Sequence, residues 1–186
     1  ISQAEGVVIL ALIIYLDIDG TLRDEAAGIS VRAKAALRQC QTTGIQIVAC
    51  TGRSPGCVQE DVLALDLDGI ISGGGCYISY HGKSLSVQQF SPPTVERFLA
   101  FADTYRLGIS LELERGIYMN SVMADFYQAD AHKKFAGYSS AEIAELLRRN
   151  KLSYQDTIKQ YRPGRDLIHK VCVTGPHDRL KELRSR

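Results

Sequence analysis

Asp17 and Asp19 stand one residue apart in the stretch Leu16-Asp17-Ile18-Asp19-Gly20-Thr21-Leu22. Along an extended backbone, residues i and i+2 point to one side, so the two carboxylates share a face. Like charges that close resist ionising together unless a cation lies between them or one keeps its proton. The pair therefore suits magnesium binding, or a nucleophile working beside an acid/base group. Gly20 permits a sharp turn, and Thr21 offers a hydroxyl and an amide to an anion. The plainer alternative is an ordinary Asp-Gly turn after a core strand.

The elements that must position these groups can be read around them. Residues 7–16 are an uncharged apolar run rich in β-branched residues, the pattern of a buried parallel strand. Ligands of open α/β sheets bind just beyond the carboxyl ends of such strands. A second β-branched run, residues 45–48, leads through Ala49 and Cys50 into Thr51-Gly52-Arg53-Ser54, again a hydroxyl and a glycine at a strand end. Between them, residues 30–43 carry Ala33, Ala36, Leu37 and Cys40 on one face, and Gly44 as a stop. Strand, helix and strand make a right-handed βαβ unit, which brings Asp17 and Thr51 to one edge of a sheet.

The Asp-Ile-Asp-Gly-Thr stretch after an apolar strand, followed by Thr-Gly-Arg-Ser 34 residues on (51 minus 17), resembles the haloacid dehalogenase superfamily. The spacing and the later chain resemble its Cof-type phosphatase branch. The resemblance implies an α/β fold: a Rossmann-like parallel-sheet core, partial here over residues 1–76, with an inserted α+β cap over residues 77–186. It also implies magnesium-dependent hydrolysis of a phosphate monoester. Asp17 would form an aspartyl-phosphate, and Asp19 would serve as acid and then base. Thr51 and Gly52 would hold a phosphoryl oxygen, and Arg53 would bind phosphate as a fork. The metal ligands would be the Asp17 carboxylate and the Asp19 backbone carbonyl. A phosphomutase-type phosphotransferase or a non-catalytic remnant are the other readings.

Composition bounds the partners. With 186 residues, 45% hydrophobic content and a net charge of +1, the chain can build a core and shows no pull towards nucleic acid or an anionic membrane. A small phosphorylated metabolite is the expected partner; oligomeric state is not legible. Five cysteines without a C-x-x-C pair read as reduced thiols of a cytoplasmic protein. The first apolar run is too short to span a bilayer, and Glu5 rather than a basic segment precedes it.

Further along, Val58, Val62 and Leu63 predict a short helix, and residues 69–71 a third strand. Gly73, Gly74 and Gly75 read as a flexible turn. Gly82-Lys83-Ser84 fails as a P-loop, because position 77 is Tyr77 rather than glycine. In place of the Asn-Gly-Ala of the Cof branch stands Gly74-Gly75-Cys76. The predicted cap contains a hairpin over residues 78–85, a helix over 92–105, and strands over 108–112 and 116–120. A helix capped by Ser139 and Glu142 follows, then a strand over 167–173 and a helix over 176–186. Arg115, Tyr118, Asn120 and Tyr127 are polar or aromatic candidates to face a substrate. Lys170 reads as a cap-strand residue. The family's lysine and its acidic Gly-Asp-x-x-Asn-Asp-like motif follow the cap, and the sequence contains no such motif. The expectation is a fragment whose first strand is an unpaired apolar edge.

Overall fold

The computed structural model describes residues 12–151 and 155–184. Residues 7–11 of the predicted first strand and the last two of the predicted final helix lie outside these. Strand β1 (Ile13–Asp17), helix α1 (Val31–Thr42) and strand β2 (Gln46–Cys50) form the expected unit, with Asp17 paired to Cys50 in parallel register. Ser30 caps α1 by accepting from the Ala33 amide. Helix α2 (Glu60–Leu63) is a single turn leading to β3 (Gly69–Ser72), which lies parallel to β2.

The hairpin β4 (Tyr77–Tyr80) and β5 (Lys83–Val87), predicted as the opening of the cap, instead extends this first sheet. Its order is β1-β2-β3-β4-β5, parallel through β3 and antiparallel beyond. The α/β reading holds, with a mixed rather than all-parallel sheet. His81 and Gly82, both at positive φ, make the two-residue turn. Among the described residues β1 pairs only with β2, and Ile13 and Tyr15 on it are 37% and 59% exposed.

A second sheet of three antiparallel strands has the order β7-β6-β8. It is built from β6 (Gly108–Leu113), β7 (Gly116–Met119) and β8 (Ile168–Thr174). Helix α3 (Pro92–Tyr105) covers one face, packing Val95 and Ala102 with Leu107, Ile109, Leu111 and Ile168. Helix α4 (Ser121–Lys134) lies on the other face, with Met123 and Ala124 against Met119. Helix α5 (Ser140–Arg149) has the predicted capping box, and α6 (His177–Arg184) ends the described chain. Helix α4 had not been anticipated. It buries Met123, Ala124 and Ala131 yet leaves Val122 and Phe126 exposed, so its apolar residues form no single stripe.

The two units meet closely at Gly56, in a 3₁₀ turn (Pro55–Cys57) that follows the Thr51–Ser54 loop. A Cβ on Gly56 would lie 2.2 Å from the Gly116 amide nitrogen and 2.6 Å from the Glu114 carbonyl oxygen, both main-chain atoms of the β6–β7 turn. The Gly56→Ala substitution is therefore expected to cost about 1–3 kcal/mol. Urea unfolding of the variant checks this.

Candidate active site

Both acidic residues sit where β1 ends. The Asp17 carboxylate accepts from the Thr21 hydroxyl through Oδ2 at 3.1 Å, and among the described residues Oδ1 has no hydrogen-bond partner. The turn that brings Thr21 back is made by Gly20 at φ 82°. It is tied by the Leu22 amide on the Asp17 carbonyl and the Arg23 amide on the Ile18 carbonyl. Ile18, between the two carboxylates, is fully buried with Ala49 and Val58. Alternation of the strand thus drives Asp17 and Asp19 to the open side together.

Asp19 is held by a two-pronged contact from Arg53, with Nε at 2.6 Å and Nη2 at 3.0 Å, and by the Gln59 amide at 3.2 Å. Burial pushes its carboxyl up, but the Arg53 fork and Gln59 more than offset this and hold it below its ordinary value. Arg53 also donates to the Asn150 carbonyl at the end of α5. Gln59 and Asn150 were not singled out in the sequence. Neither carries a local sequence signal, since what marks Gln59 is its complete burial in the fold.

Across the sheet edge, Thr51 is buried and Gly52 exposed. Each carbonyl of the Thr51–Arg53 loop is taken by a donor. The Gly74 amide holds the Thr51 oxygen at 3.2 Å, and the Gly73 amide holds the Arg53 oxygen at 2.6 Å. Lys170 Nζ, on β8, holds the Gly52 oxygen at 3.0 Å. The triple glycine is therefore no loose turn: all three residues adopt positive φ, and two of them brace the loop. The Arg53 amide donates to Thr51 Oγ1 at 3.1 Å, which leaves the Thr51 hydroxyl proton free to point outward. The Ser54 amide donates to Glu112 Oε2 at 3.2 Å. Among the described residues the Gly52 amide has no acceptor. The loop thus presents donors and hides acceptors, which is what an anion requires.

Lys170 also pairs with Glu112 at 3.1 Å. Burial draws its ammonium down, and Glu112 more than offsets that, so it stays charged. Of the other substrate-facing candidates, Tyr127 comes nearest: burial first, then Cys172 and Glu112, push its hydroxyl up. Tyr118 packs on the α3 face, away from the loop. Asn120 is a structural cap, accepting from Met123 and Ile109 amides and donating to the Leu107 carbonyl. Arg115 is exposed, with its main chain against Gly56. Burial and the Asp17 charge push the Cys50 thiol up, so it is no ready nucleophile.

The Asp17 carboxylate and the Asp19 carbonyl offer hard oxygens of the kind magnesium takes. They fit the ion by type, and among the described residues no cluster of three His, Cys, Asp or Glu surrounds it. No helix among the described residues is long and apolar enough to cross a membrane.

The profile of the haloacid dehalogenase-like hydrolases matches residues 14–186. The chain belongs to that family. It is similar to a putative phosphatase, YxeH, of Bacillus subtilis (strain 168), 32% identical over 103 residues, which are 55% of this chain and 37% of that protein. A solved structure from Geobacillus kaustophilus HTA426 matches with a TM-score of 0.69 at 18% identity, covering 94% of this chain and 62% of that one. The sugar phosphatase BT4131 matches with a TM-score of 0.53 at 19% identity, covering 95% and 77%. These structural likenesses are of fold. The chain spans well under half the length of the curated relative, and about three fifths of the first of these structures.

Because the folded value for Asp19 lies below its ordinary 3.8, its contact with Arg53 stabilises the protein above that pH. The contribution is lost as pH falls through the folded value. Carboxyl-carbon NMR titration of Asp19 is expected to give a midpoint below 3.8 in the wild type and a higher one in Arg53→Met.

Proposed function

We propose that this chain carries the phosphoryl-transfer residues of a magnesium-dependent phosphate monoester hydrolase acting on a small phosphorylated metabolite. The observation that carries the reading is the donor-lined loop, its carbonyls each bonded elsewhere, on the same sheet edge as the exposed Asp17 carboxylate. A sugar phosphate is the substrate class supported by the name of the BT4131 neighbour. The second sheet, with α3 to α5, would act as a cap that closes over the site and excludes water. Five unpaired cysteines suit the reducing cytoplasm.

Asp17 Oδ1 attacks phosphorus as the ester P–O bond breaks, leaving an acyl phosphate on Asp17. Thr51 Oγ1 and the Gly52 amide take the charge that builds on a phosphoryl oxygen. Asp19 gives a proton to the leaving oxygen and later takes one from the water that releases phosphate. In the present arrangement Asp19 is an anion held by Arg53. An arriving phosphate competes for that guanidinium, and its charge raises the Asp19 carboxyl towards the protonated form the step needs. Magnesium, held by the Asp17 carboxylate and the Asp19 carbonyl, would neutralise charge on the phosphoryl oxygens.

One observation favours a second reading, phosphate binding without turnover: among the described residues no group of three or more His, Cys, Asp or Glu is placed to hold a metal ion. The test is magnesium-dependent hydrolysis of p-nitrophenyl phosphate. Turnover that falls about a thousandfold or more in Asp17→Asn supports the first reading. Equal rates in the two proteins reject Asp17 as the nucleophile. Tight phosphate binding with no turnover selects the second reading.

A further inference from the structure

Glu112 on β6 and Lys170 on β8 are paired in register. Both side chains cross from the second sheet to the Thr51–Ser54 loop of the first unit, 118 residues away in sequence for the Lys170 contact. Glu112 is 6% exposed, and its two oxygens are divided between the partners: Oε2 for the Ser54 amide, Oε1 for Lys170. Two of the three loop carbonyls are secured from within the first unit, by Gly73 and Gly74. The third, on Gly52, is secured among the described residues only from the second sheet.

We infer that Glu112 and Lys170 are positioning residues, through which docking of the second sheet sets the anion-binding loop; this rests on the phosphate-site reading above. The Gly52 carbonyl and the Arg53 amide belong to one peptide plane and point in opposite directions. Lys170 takes the carbonyl, so the amide faces Thr51 Oγ1 and orients that hydroxyl towards the anion. Release of the carbonyl frees the plane to rotate, because Gly52 has no Cβ to resist it and nothing lies within 4 Å of where one would be. A rotated plane turns a carbonyl towards the anion and removes the amide from Thr51. Anion affinity is then coupled to closure of the second sheet, without any residue of that sheet touching the phosphate.

The test is the affinity for inorganic phosphate, by titration calorimetry, of the wild type and of Lys170→Met, Lys170→Arg and Glu112→Gln. It is read together with the ¹⁵N–¹H resonance of the Arg53 amide in the phosphate-free proteins. Lys170→Met is expected to weaken binding about tenfold and to move the Arg53 amide, while Lys170→Arg stays within about threefold of wild type. Glu112→Gln is the discriminating variant. It removes a negative charge beside the loop, so a purely electrostatic role for Lys170 gives tighter phosphate binding, and a positioning role gives weaker binding. Phosphate binding by Lys170→Met equal to wild type with the Arg53 amide unmoved, or tighter binding by Glu112→Gln, overturns the inference. A folded wild type that takes up no phosphate overturns the phosphate-site reading itself, and the positioning role with it.

Discussion

An anion approaching a loop of main chain meets amide protons or carbonyl oxygens, and only the former attract it. At Thr51-Gly52-Arg53 the carbonyls are each committed to a donor elsewhere, so the free hydrogen-bonding capacity that remains is of the donating kind. The rest of the structure serves that arrangement. Parallel pairing of β1 with β2 brings the loop beside Asp17. The β3 end and its triple glycine fold back to hold two carbonyls, and the second sheet reaches across to hold the third. A carbonyl left free to face the anion would repel it.

Docking of the second unit centres on one buried guanidinium, which is paired within the first unit and bonded across to the second. Arg23, 2% exposed, gives Nε to both Asp61 oxygens at 2.9 Å and Nη1 to the Asn150 side chain at 2.6 Å. Asn150 returns bonds to the Glu25 and Leu146 carbonyls and accepts from Arg53. Lys134 on α4 pairs with Glu25. Removing one partner of a buried pair leaves a charge without compensation and costs about 3–5 kcal/mol, so this network fixes α5 on the Asp17–Gly28 turn region with definite geometry. The same network touches Arg53, and through it Asp19. The contact between the two units and the charge on Asp19 therefore meet at Arg53.

Much of this was legible in the sequence where the signal was local. A strand ending in two alternate carboxylates, and a second strand ending in Thr-Gly-Arg, carry their positions in their own periodicity, and the family followed from them. What escaped depended on contacts distant in the chain. The hairpin of β4 and β5 looks the same in sequence whether it borders one sheet or another. Three glycines look flexible until their amides are seen on Thr51 and Arg53. Lys170 was read as a strand residue, which it is, but its partner lies in a loop 118 residues earlier. Helix α4 was missed because it has apolar residues on two sides and offers no clean stripe.

The claim at the centre is that the Thr51–Arg53 loop is the seat of a phosphate next to Asp17. The most direct measurement is a ¹⁵N–¹H spectrum of the labelled protein recorded as inorganic phosphate is added. The expected result is that the Gly52 amide, which has no acceptor among the described residues, moves furthest and saturates, with smaller movements at Gly20 and Thr21. Movement centred instead on the cleft lined by Arg23, Glu60, Asp61, Arg148, Arg149 and Lys151, with Gly52 unchanged, would contradict it.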